Sequence, residues 1–210
     1  MNTALMARTL QIHPVDPQPR LVGQVVDALR GGGVIAYPTD SGYALGCSLD
    51  NKTGLDRIRA IRQLGDTHHF TLMCRDFAQL GQFVIVDNRA FRLVKSATPG
   101  PYTFILRGTK EVPRRMLHPR KHTVGARIPD HRISQAILAE LGEPLVSSTL
   151  ILPGEELPMT TGWEVAEHLG HLLDAVVDAD VDDAAPTTVV DLTSGTPEVL
   201  REGAGDLSRF

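Results

Sequence analysis

The alternation of apolar and polar positions changes most sharply between residues 31 and 49. Three glycines lead into an apolar run at 34–37, a polar string follows at 38–42, and a second apolar run begins at Tyr43. A short apolar run bounded by turn-forming residues is typical of a buried strand. The pattern therefore predicts a buried strand, a tight polar turn and a return strand.

The polar turn carries two hydroxyl groups, those of Thr39 and Ser41, close in sequence to the ring of Tyr43. Backbone N–H groups and hydroxyls exposed at such a turn could hold a small ligand. The same residues also suit an ordinary connection, because small polar residues are common in turns. The residue spacing does not decide between the two interpretations.

Apolar residues recur at helical spacing in five further segments, and short apolar runs separate them. The first predicted helix begins at Asp16-Pro17 and ends at Gly31, and the second begins with the capping sequence Thr53-x-x-Asp56. The third covers 87–96 with Phe91 and Val94 inward, and the fourth carries Ile133, Ile137, Leu138 and Leu141 and ends at Gly142. The fifth begins with the capping sequence Thr161-x-x-Glu164 and buries Val165, Leu169 and Leu172. The predicted strands cover 70–74, 102–106, 124–128, 144–152, 175–178, 187–192 and 198–201. This interleaving predicts a single α/β domain over 1–210, with residues 1–15 as an N-terminal lead-in.

The composition agrees with a folded domain. The chain has 210 residues, of which 42% are hydrophobic and 22% charged, enough to bury a full core. No apolar run approaches the roughly 20 residues that span a bilayer, and the first residues lack the apolar segment of a signal peptide. We therefore expect a cytoplasmic protein without a membrane partner. Cys47 and Cys74 show no metal-type spacing and are expected to be reduced thiols packed in the core.

Six short motifs, in this order along the chain, resemble those of one known family. They are PTDSGYALG at 38–46, PGPYTFIL at 99–106, VGARIPDH at 124–131, PLVSS at 144–148, PTTVVDL at 186–192 and REG at 201–203. Together they resemble the YrdC family, whose best-known members are threonylcarbamoyl-AMP synthases. The strings IRQLGDTHHFTLMCRD at 61–76 and YTFILRGTKEVPRR at 102–115 are most similar to the YciO branch of that family.

The resemblance implies a YrdC-like twisted mixed sheet flanked by helices, with a concave, positively charged face that holds ligands. It also implies a reaction in which ATP with Mg²⁺, L-threonine and bicarbonate give L-threonylcarbamoyladenylate and pyrophosphate, within the t6A modification of tRNA. Such a reaction depends mainly on positioning and on positive charge beside the separating polyphosphate. ATP with Mg²⁺ is expected only if that reaction is retained. No other cofactor and no resident metal site are indicated.

Carried over position by position, the resemblance assigns two sets of binding residues and no catalytic residue. The threonine-binding set is Thr39, Tyr43 and Arg127, and the nucleotide-binding set is Arg62, Ser147, Ser148, Thr149, Thr188 and Arg201. Arg127 has apolar neighbours in a predicted strand, where an unpaired charge is costly, so it needs a ligand or a buried carboxylate. Tyr43 also suits a core aromatic, the hydroxyls at 147–149 also suit an edge strand, and Arg201 also suits a solvated charge.

Two departures from the synthase motifs affect the expected activity. Synthases carry a string like IKxRPxxKPL after the second helix, and this chain has Arg62, Leu64 and Gly65 in place of its first lysine, arginine and proline. In the synthase motif Ser-x-Asn, the asparagine is replaced by Ile151. Losing one transition-state donor typically costs about 3 kcal/mol, so weak or absent synthase activity is expected. The open alternatives are an active synthase and a non-catalytic sensor of an amino acid or nucleotide.

A basic segment between residues 107 and 122 is unusual in a chain whose net charge is −4. It contains Arg107, Lys110, Arg114, Arg115, Arg120 and Lys121, together with His118, His122 and a single acid, Glu111. Such a segment could bind RNA through phosphate contacts, and the resemblance implies double-stranded RNA. The alternative is a solvated loop. His68 and His69 are expected to be mostly exposed loop residues, and Asp180, Asp182 and Asp183 to form an acidic surface loop.

Overall fold

The structure is a computed structural model that describes residues 6–65, 68, 70–182 and 184–210. The described residues form eleven strands and six helices. In chain order they are β1 (Arg8–Gln11), α1 (Pro19–Arg30), β2 (Ile35–Thr39), β3 (Gly42–Ser48), α2 (Lys52–Arg62), β4 (Thr71–Met73), α3 (Phe77–Phe83), β5 (Val84–Ile85), α4 (Asn88–Ala97), β6 (Tyr102–Gly108), β7 (Thr123–Arg127), α5 (Arg132–Leu141), β8 (Leu145–Thr149), α6 (Gly162–Leu169), β9 (Ala175–Asp178), β10 (Thr188–Asp191) and β11 (Glu198–Arg201). The predicted α/β fold, a mixed sheet flanked by helices, is confirmed.

All strands of the described residues belong to one mixed sheet. Ten of them follow in the order β1-β9-β2-β3-β8-β4-β7-β6-β10-β11, and β5 pairs with β6 outside that path. The predicted strand, turn and return at 34–49 form the antiparallel β2–β3 hairpin, in which Thr39 pairs with Gly42. The predicted N-terminal lead-in contains β1, which pairs in parallel with β9. The β1 strand was not predicted from the sequence.

The helices cover the two faces of the sheet unequally. On one face, α2, α3, α4 and α6 pack over the larger core cluster, which includes Ile58 and Val94. On the opposite face, α1 and α5 pack over a second cluster, which includes Tyr37 and Met73. Among the described residues, this second cluster takes members from the sheet between β1 and β4 and none from β7, β6 or β10. No helix of the described residues therefore packs on the part of this face formed by β7, β6 and β10.

Two predicted helix starts are wrong. The first helix begins at Pro19 rather than at Asp16-Pro17, so proline does occupy the first turn, but two residues later than predicted. The second helix is capped by Asn51 rather than by Thr53. The Asn51 side chain accepts a hydrogen bond from the backbone N–H of Gly54 at 2.8 Å, which satisfies one of the unpaired donors at the helix start.

Two apolar side chains predicted to face inward are exposed. Phe91 and Leu172 are each 39% exposed. Phe91 packs edge-on against Phe77 of α3, a short helix that the sequence pattern did not predict, with ring centroids 4.7 Å apart. Leu172 lies beyond the end of α6 in a 3-10 turn, where helical spacing no longer applies. Thr161 precedes α6 as predicted, but its side chain makes no capping hydrogen bond.

Two expectations drawn from composition can be compared with the fold. Cys47 and Cys74 are buried free thiols, and burial raises the pKa of each to about 12. Both therefore stay protonated and pack as small apolar side chains. As to membranes, the helices in the described part of the chain are all too short or too polar to cross one.

Candidate functional site

The uncovered part of the sheet face carries small and hydroxyl-bearing side chains. The register aligns Gly125 of β7 with Thr71 of β4 on one side and with Ile105 of β6 on the other. A Cβ atom built on Gly125 would lie 3.0 Å from Thr71 Oγ1 and 3.3 Å from Thr103 Cγ2. Glycine at this position therefore lets the side chains of Thr71 and Thr103 pack closely over β7.

Thr71 and Thr103 also line a cleft of about 330 Å³, a volume within the size range of small-ligand sites. Its described lining combines guanidinium, imidazole, hydroxyl and aliphatic groups. The lining residues are Arg62, His68, Thr71, Thr103, Ile105, Ser148, Thr149, Ile151, Thr187, Val189, Leu200 and Arg201. Guanidinium and hydroxyl groups donate hydrogen bonds to phosphate oxygens, and aliphatic groups suit the apolar part of a ligand.

Arg62 enters the cleft from the last residue of α2. Its Nε donates to the Ile151 carbonyl at 3.0 Å, and its Nη1 donates to Ser148 Oγ at 2.9 Å and to the Thr149 carbonyl. The strand predicted over 144–152 ends at Thr149, so these acceptors lie at the end of β8. Burial lowers the pKa of Arg62, and the positive charge of Arg201 lowers it further.

Arg201, the last residue of β11, enters the same cleft from the edge of the sheet. Its Nε and Nη2 donate to the Thr187 carbonyl at 3.1 and 2.8 Å, and Nη2 also donates to Thr187 Oγ1 at 3.1 Å. Thr187 Oγ1 in turn lies 2.8 Å from Thr103 Oγ1 on the cleft floor. Burial lowers the pKa of Arg201, with a further contribution from the charge of Arg127.

The guanidinium groups of Arg62 and Arg201 have no carboxylate partner among the described residues. The acceptors that they contact there are backbone carbonyls and hydroxyls. Such acceptors orient a guanidinium without neutralising its charge. An anion bound between the two groups would offset their repulsion, and the planar fork of arginine matches the oxygen geometry of phosphate.

Arg127 lies two residues beyond Gly125 on the same face of β7 and is only 3% exposed. Its Nη2 forms an ion pair with Asp40, and its Nη1 donates to Ser41 Oγ at 2.7 Å. Asp40 also accepts a hydrogen bond from the backbone N–H of Asp130 at 3.1 Å. The Nε of Arg127 is buried without a hydrogen-bond partner in the described part of the chain. The structure therefore supplies a nearly buried carboxylate, as Arg127 was expected to need, and leaves its Nε–H without an acceptor among the described residues.

None of the three residues of the threonine-binding set, Thr39, Tyr43 and Arg127, lines the cleft. Thr39 Oγ1 donates to the Gly42 carbonyl at 2.7 Å and accepts from the Ser41 backbone N–H at 3.1 Å. The Tyr43 hydroxyl lies 2.7 to 3.1 Å from backbone groups of residues 177 and 179. Burial raises the pKa of Tyr43. The structure places Tyr43 as a core aromatic, one of its two expected roles.

Four members of the nucleotide-binding set lie together, and they are Arg62, Ser148, Thr149 and Arg201. The other two hydroxyls are turned to internal partners: Ser147 Oγ lies 2.8 Å from the Tyr37 hydroxyl, and Thr188 Oγ1 donates to the Gly205 carbonyl at 2.8 Å. Sequence reasoning missed six lining residues, namely Thr71, Thr103, Ile105, Thr187, Val189 and Leu200. No sequence spacing identifies them, because they come together only through the pairing of β4, β7, β6 and β10, which Thr187 directly precedes.

The sequence profile of the Sua5/YciO/YrdC family, described as telomere recombination, matches residues 27–203. The protein belongs to the Sua5/YciO/YrdC family. The resemblance of the six motifs to this family is therefore confirmed. The family is related to threonylcarbamoyl-AMP synthases.

This family member is similar to relatives over nearly its whole length. YciO of Escherichia coli K12 is 51% identical over 205 residues, which are 98% of this chain and 100% of that one. The crystal structure of E. coli YciO matches it with a TM-score of 0.95 over 98% of this chain and 100% of that chain. Sua5 of P. abyssi complexed with L-threonine has the same fold, with a TM-score of 0.84 at 23% identity over 94% of this chain and 57% of that chain. The predicted similarity to the YciO branch is confirmed.

The cleft of this family member offers no carboxylate to a Mg²⁺ ion among its described lining residues. In the described part of the chain there is also no group of three or more His, Cys, Asp or Glu side chains that could hold a metal. Protein-bound Mg²⁺ uses carboxylate oxygens together with substrate phosphates. The described residues therefore do not fit a resident Mg²⁺ site. His68 is exposed and lines the cleft, whereas His69 and Asp183 lie outside the described residues.

The basic segment of this family member lies apart from the cleft lining. All six of its predicted RNA-binding cations are exposed, namely Arg107, Lys110, Arg114, Arg115, Arg120 and Lys121. Lys110 and Arg114 line a second hollow. Arg115 instead donates to the Leu49 carbonyl at 3.4 Å and lies 4.0 Å from the Asp50 carboxylate. The structure thus separates neighbouring cations of the segment into different surroundings.

Proposed function

We propose that the cleft binds the polyphosphate of a nucleotide between Arg62 and Arg201, with weak or absent L-threonylcarbamoyladenylate synthase activity. The observation that carries the proposal is the presence of two guanidinium groups in one cleft, without a carboxylate partner among the described residues. Paired arginine forks can hold successive phosphate groups through charge-assisted hydrogen bonds. The hydroxyls of Ser148 and Thr149 add neutral donors beside them.

The two residues that differ from the synthase motifs support a slow synthase reaction. Leu64 packs against the larger core cluster, and Ile151 presents an aliphatic side chain to the cleft. Neither side chain can donate a hydrogen bond to a developing negative charge. Each lost donor typically costs about 3 kcal/mol, or roughly 10² to 10³ in rate. Arg62 keeps one cation there, but carbonyl and hydroxyl acceptors already engage its Nε and Nη1.

The surroundings of Arg127 support weak binding of an amino acid. By resemblance, its guanidinium would bind the carboxylate of L-threonine, with Thr39 nearby. Both Nη atoms of Arg127 are already engaged, one by Asp40 and one by Ser41. An incoming carboxylate would share the guanidinium with the Asp40 carboxylate, and like charges at that distance repel.

Two alternative functions would use the same cleft. An active synthase would supply L-threonylcarbamoyladenylate for t6A modification of tRNA, and ATP would then bring Mg²⁺ with its phosphates. A non-catalytic sensor would bind an amino acid or a nucleotide without turnover. The rate of pyrophosphate release separates the three functions, because an active synthase cleaves ATP fast, the proposed nucleotide-binding protein slowly or not at all, and a sensor not at all. All three functions are proposed for the cytoplasm.

With ATP, L-threonine, bicarbonate and Mg²⁺ supplied, pyrophosphate release is expected to be roughly 10⁴-fold slower than in a synthase that keeps the two donors replaced here by Leu64 and Ile151. The reason is that two donors to the transition state are lost. The double variant Leu64→Arg/Ile151→Asn is expected to gain activity, whereas Leu64→Met/Ile151→Val, which restores no donor, is not. Wild-type turnover as fast as that of a full synthase would show that the two departures do not limit the reaction.

We propose RNA as a second ligand, bound by phosphate contacts along the basic segment. The exposure of all six cations and the presence of one acid in the segment favour this proposal over a loop neutralised by local carboxylates. Only Arg115 has a carboxylate within 4.0 Å in the described residues. Double-stranded RNA is the expected form, because proteins recognise it mainly through its shape and its phosphate backbone and do not need to read its bases.

RNA binding of this kind is expected to weaken steeply with salt. The logarithm of the binding constant should fall linearly with the logarithm of salt concentration, by about 0.7 to 0.9 for each phosphate contact. Lys121→Gln is expected to make that slope shallower by the amount of about one phosphate contact. Lys95→Gln on α4 is expected to leave the slope unchanged. Fluorescence anisotropy with a short RNA duplex measures the slope, and a slope near zero would rule out a phosphate-based interaction.

A further inference from the structure

The segment between β6 and β7 forms a second hollow of about 600 Å³, and none of its described lining residues also lines the cleft. The segment is anchored from below, because Val112 and Met116 are buried in the larger core cluster. It is also closed by backbone hydrogen bonds, from the His122 N–H to the His118 carbonyl at 2.9 Å and from the Gly108 N–H to the His122 carbonyl at 3.0 Å. The hollow is therefore part of the folded loop.

The walls of the hollow differ in character. Lys110 and Arg114 are exposed at its rim and have no carboxylate partner among the described residues, and Glu111 does not line it. Leu117, Pro119 and the buried Val112 give it an apolar portion. Thr109 and the imidazoles of His118 and His122 complete its described lining. Histidine rings can stack on nucleobases, and cations at a rim attract phosphate.

We propose that this hollow binds a nucleoside 5′-phosphate at the end of an RNA chain, with the terminal phosphate against Lys110 and Arg114. This inference rests on the proposed RNA binding and names the part of the RNA that the segment prefers. The volume of about 600 Å³ fits a nucleotide unit, since small-molecule sites span roughly 300 to 1,000 Å³. A terminal phosphate also carries more negative charge than an internal one, so two rim cations favour the end over the middle of the chain.

Arg114 and Arg115 form a matched pair for testing the hollow. They are adjacent in sequence, both exposed and equally charged, but only Arg114 lines the hollow, and Arg115 is directed at Leu49 and Asp50. A general electrostatic role predicts equal effects of neutralising either residue. A terminal-phosphate site predicts that only Arg114→Gln removes a preference for the phosphorylated end.

The experiment uses a short RNA hairpin with an unpaired 5′ nucleotide, prepared with a 5′-phosphate or a 5′-hydroxyl, at one fixed salt concentration. We expect the wild-type protein to bind the phosphorylated form roughly tenfold more tightly. Arg114→Gln should bind both forms alike, and Arg115→Gln should keep the tenfold difference. AMP added as a competitor, at a concentration near the dissociation constant of the RNA, should not remove the tenfold preference for the phosphorylated hairpin.

Equal wild-type affinity for the two hairpins would overturn the terminal-phosphate site and leave the proposed RNA binding intact. Equal loss of the preference in Arg114→Gln and Arg115→Gln would overturn the assignment to the hollow. Removal of the preference by AMP at that low concentration would identify a free mononucleotide, rather than an RNA end, as the ligand. Failure of the wild-type protein to bind either hairpin would refute the proposed RNA binding itself, together with this inference.

Discussion

Arg201→Met is expected to weaken ATP binding roughly 30- to 150-fold, which corresponds to about 2 to 3 kcal/mol for lost hydrogen bonds to a charged group. The guanidinium is oriented by the Thr187 carbonyl and hydroxyl and is left without a carboxylate partner in the described residues. Methionine keeps much of the apolar length of the side chain but has no donor and no charge. Isothermal titration calorimetry gives the dissociation constants of wild type and variant.

The matched control for Arg201→Met is Arg92→Met. Arg92 is exposed on α4, which packs on the opposite face of the sheet, so the variant loses the same charge at a distance from the cleft. Its affinity for ATP is expected to stay within about twofold of wild type, because exposed charges are strongly screened by salt. Equal weakening by both variants would mean that ATP responds to net charge and not to this cleft.

Arg127→Met is expected to lower the free energy of unfolding by about 3 to 5 kcal/mol. The side chains of Arg127 and Asp40 are 4% and 13% exposed and form an ion pair. Removing the guanidinium would leave the Asp40 carboxylate nearly buried without its cation, which is more costly than losing the attraction alone. Urea unfolding followed by circular dichroism measures the change.

Two further variants test the reason for the effect of Arg127→Met. Arg75→Met breaks the exposed Arg75–Asp76 pair, whose side chains are 45% and 43% exposed, and should cost less than about 1 kcal/mol. The double variant Asp40→Asn/Arg127→Met removes both buried charges and should recover part of the lost stability. A double variant less stable than Arg127→Met alone would contradict a burial penalty as the cause.

The arrangement of helices could be predicted from the sequence where apolar spacing and a glycine stop agreed. The helix with Ile133, Ile137 and Leu138 inward is α5, and Gly142 ends it with a positive φ of 79° that glycine adopts easily. Helix starts were harder, because several nearby residues could act as the cap. Asn51 caps α2 since its carboxamide reaches the Gly54 N–H, a contact that sequence spacing alone did not separate from capping by Thr53.

The cleft could be predicted only in part. Arg62 and Arg201 were found because they belong to motifs, and their approach to one cleft depends on a sheet order that the sequence does not state. The hydroxyls of Thr71, Thr103 and Thr187 carried no motif signal. Thr71 and Thr103 meet because β4 and β6 pair on the two sides of β7 at Gly125. Thr187 reaches them from the residue before β10, which pairs with β6. The sequence suited Tyr43 equally to the core and to a pocket wall. The contacts of its hydroxyl with backbone groups of residues 177 and 179 place it in the core.

The most direct test of the proposed nucleotide cleft is a crystal structure of the protein with a non-hydrolysable ATP analogue. We predict phosphate oxygens at hydrogen-bond distance, about 2.7 to 3.2 Å, from the guanidinium groups of both Arg62 and Arg201. The base should lie on the aliphatic lining that includes Ile105 and Val189. An analogue at saturating concentration whose phosphates contact neither arginine would contradict the account.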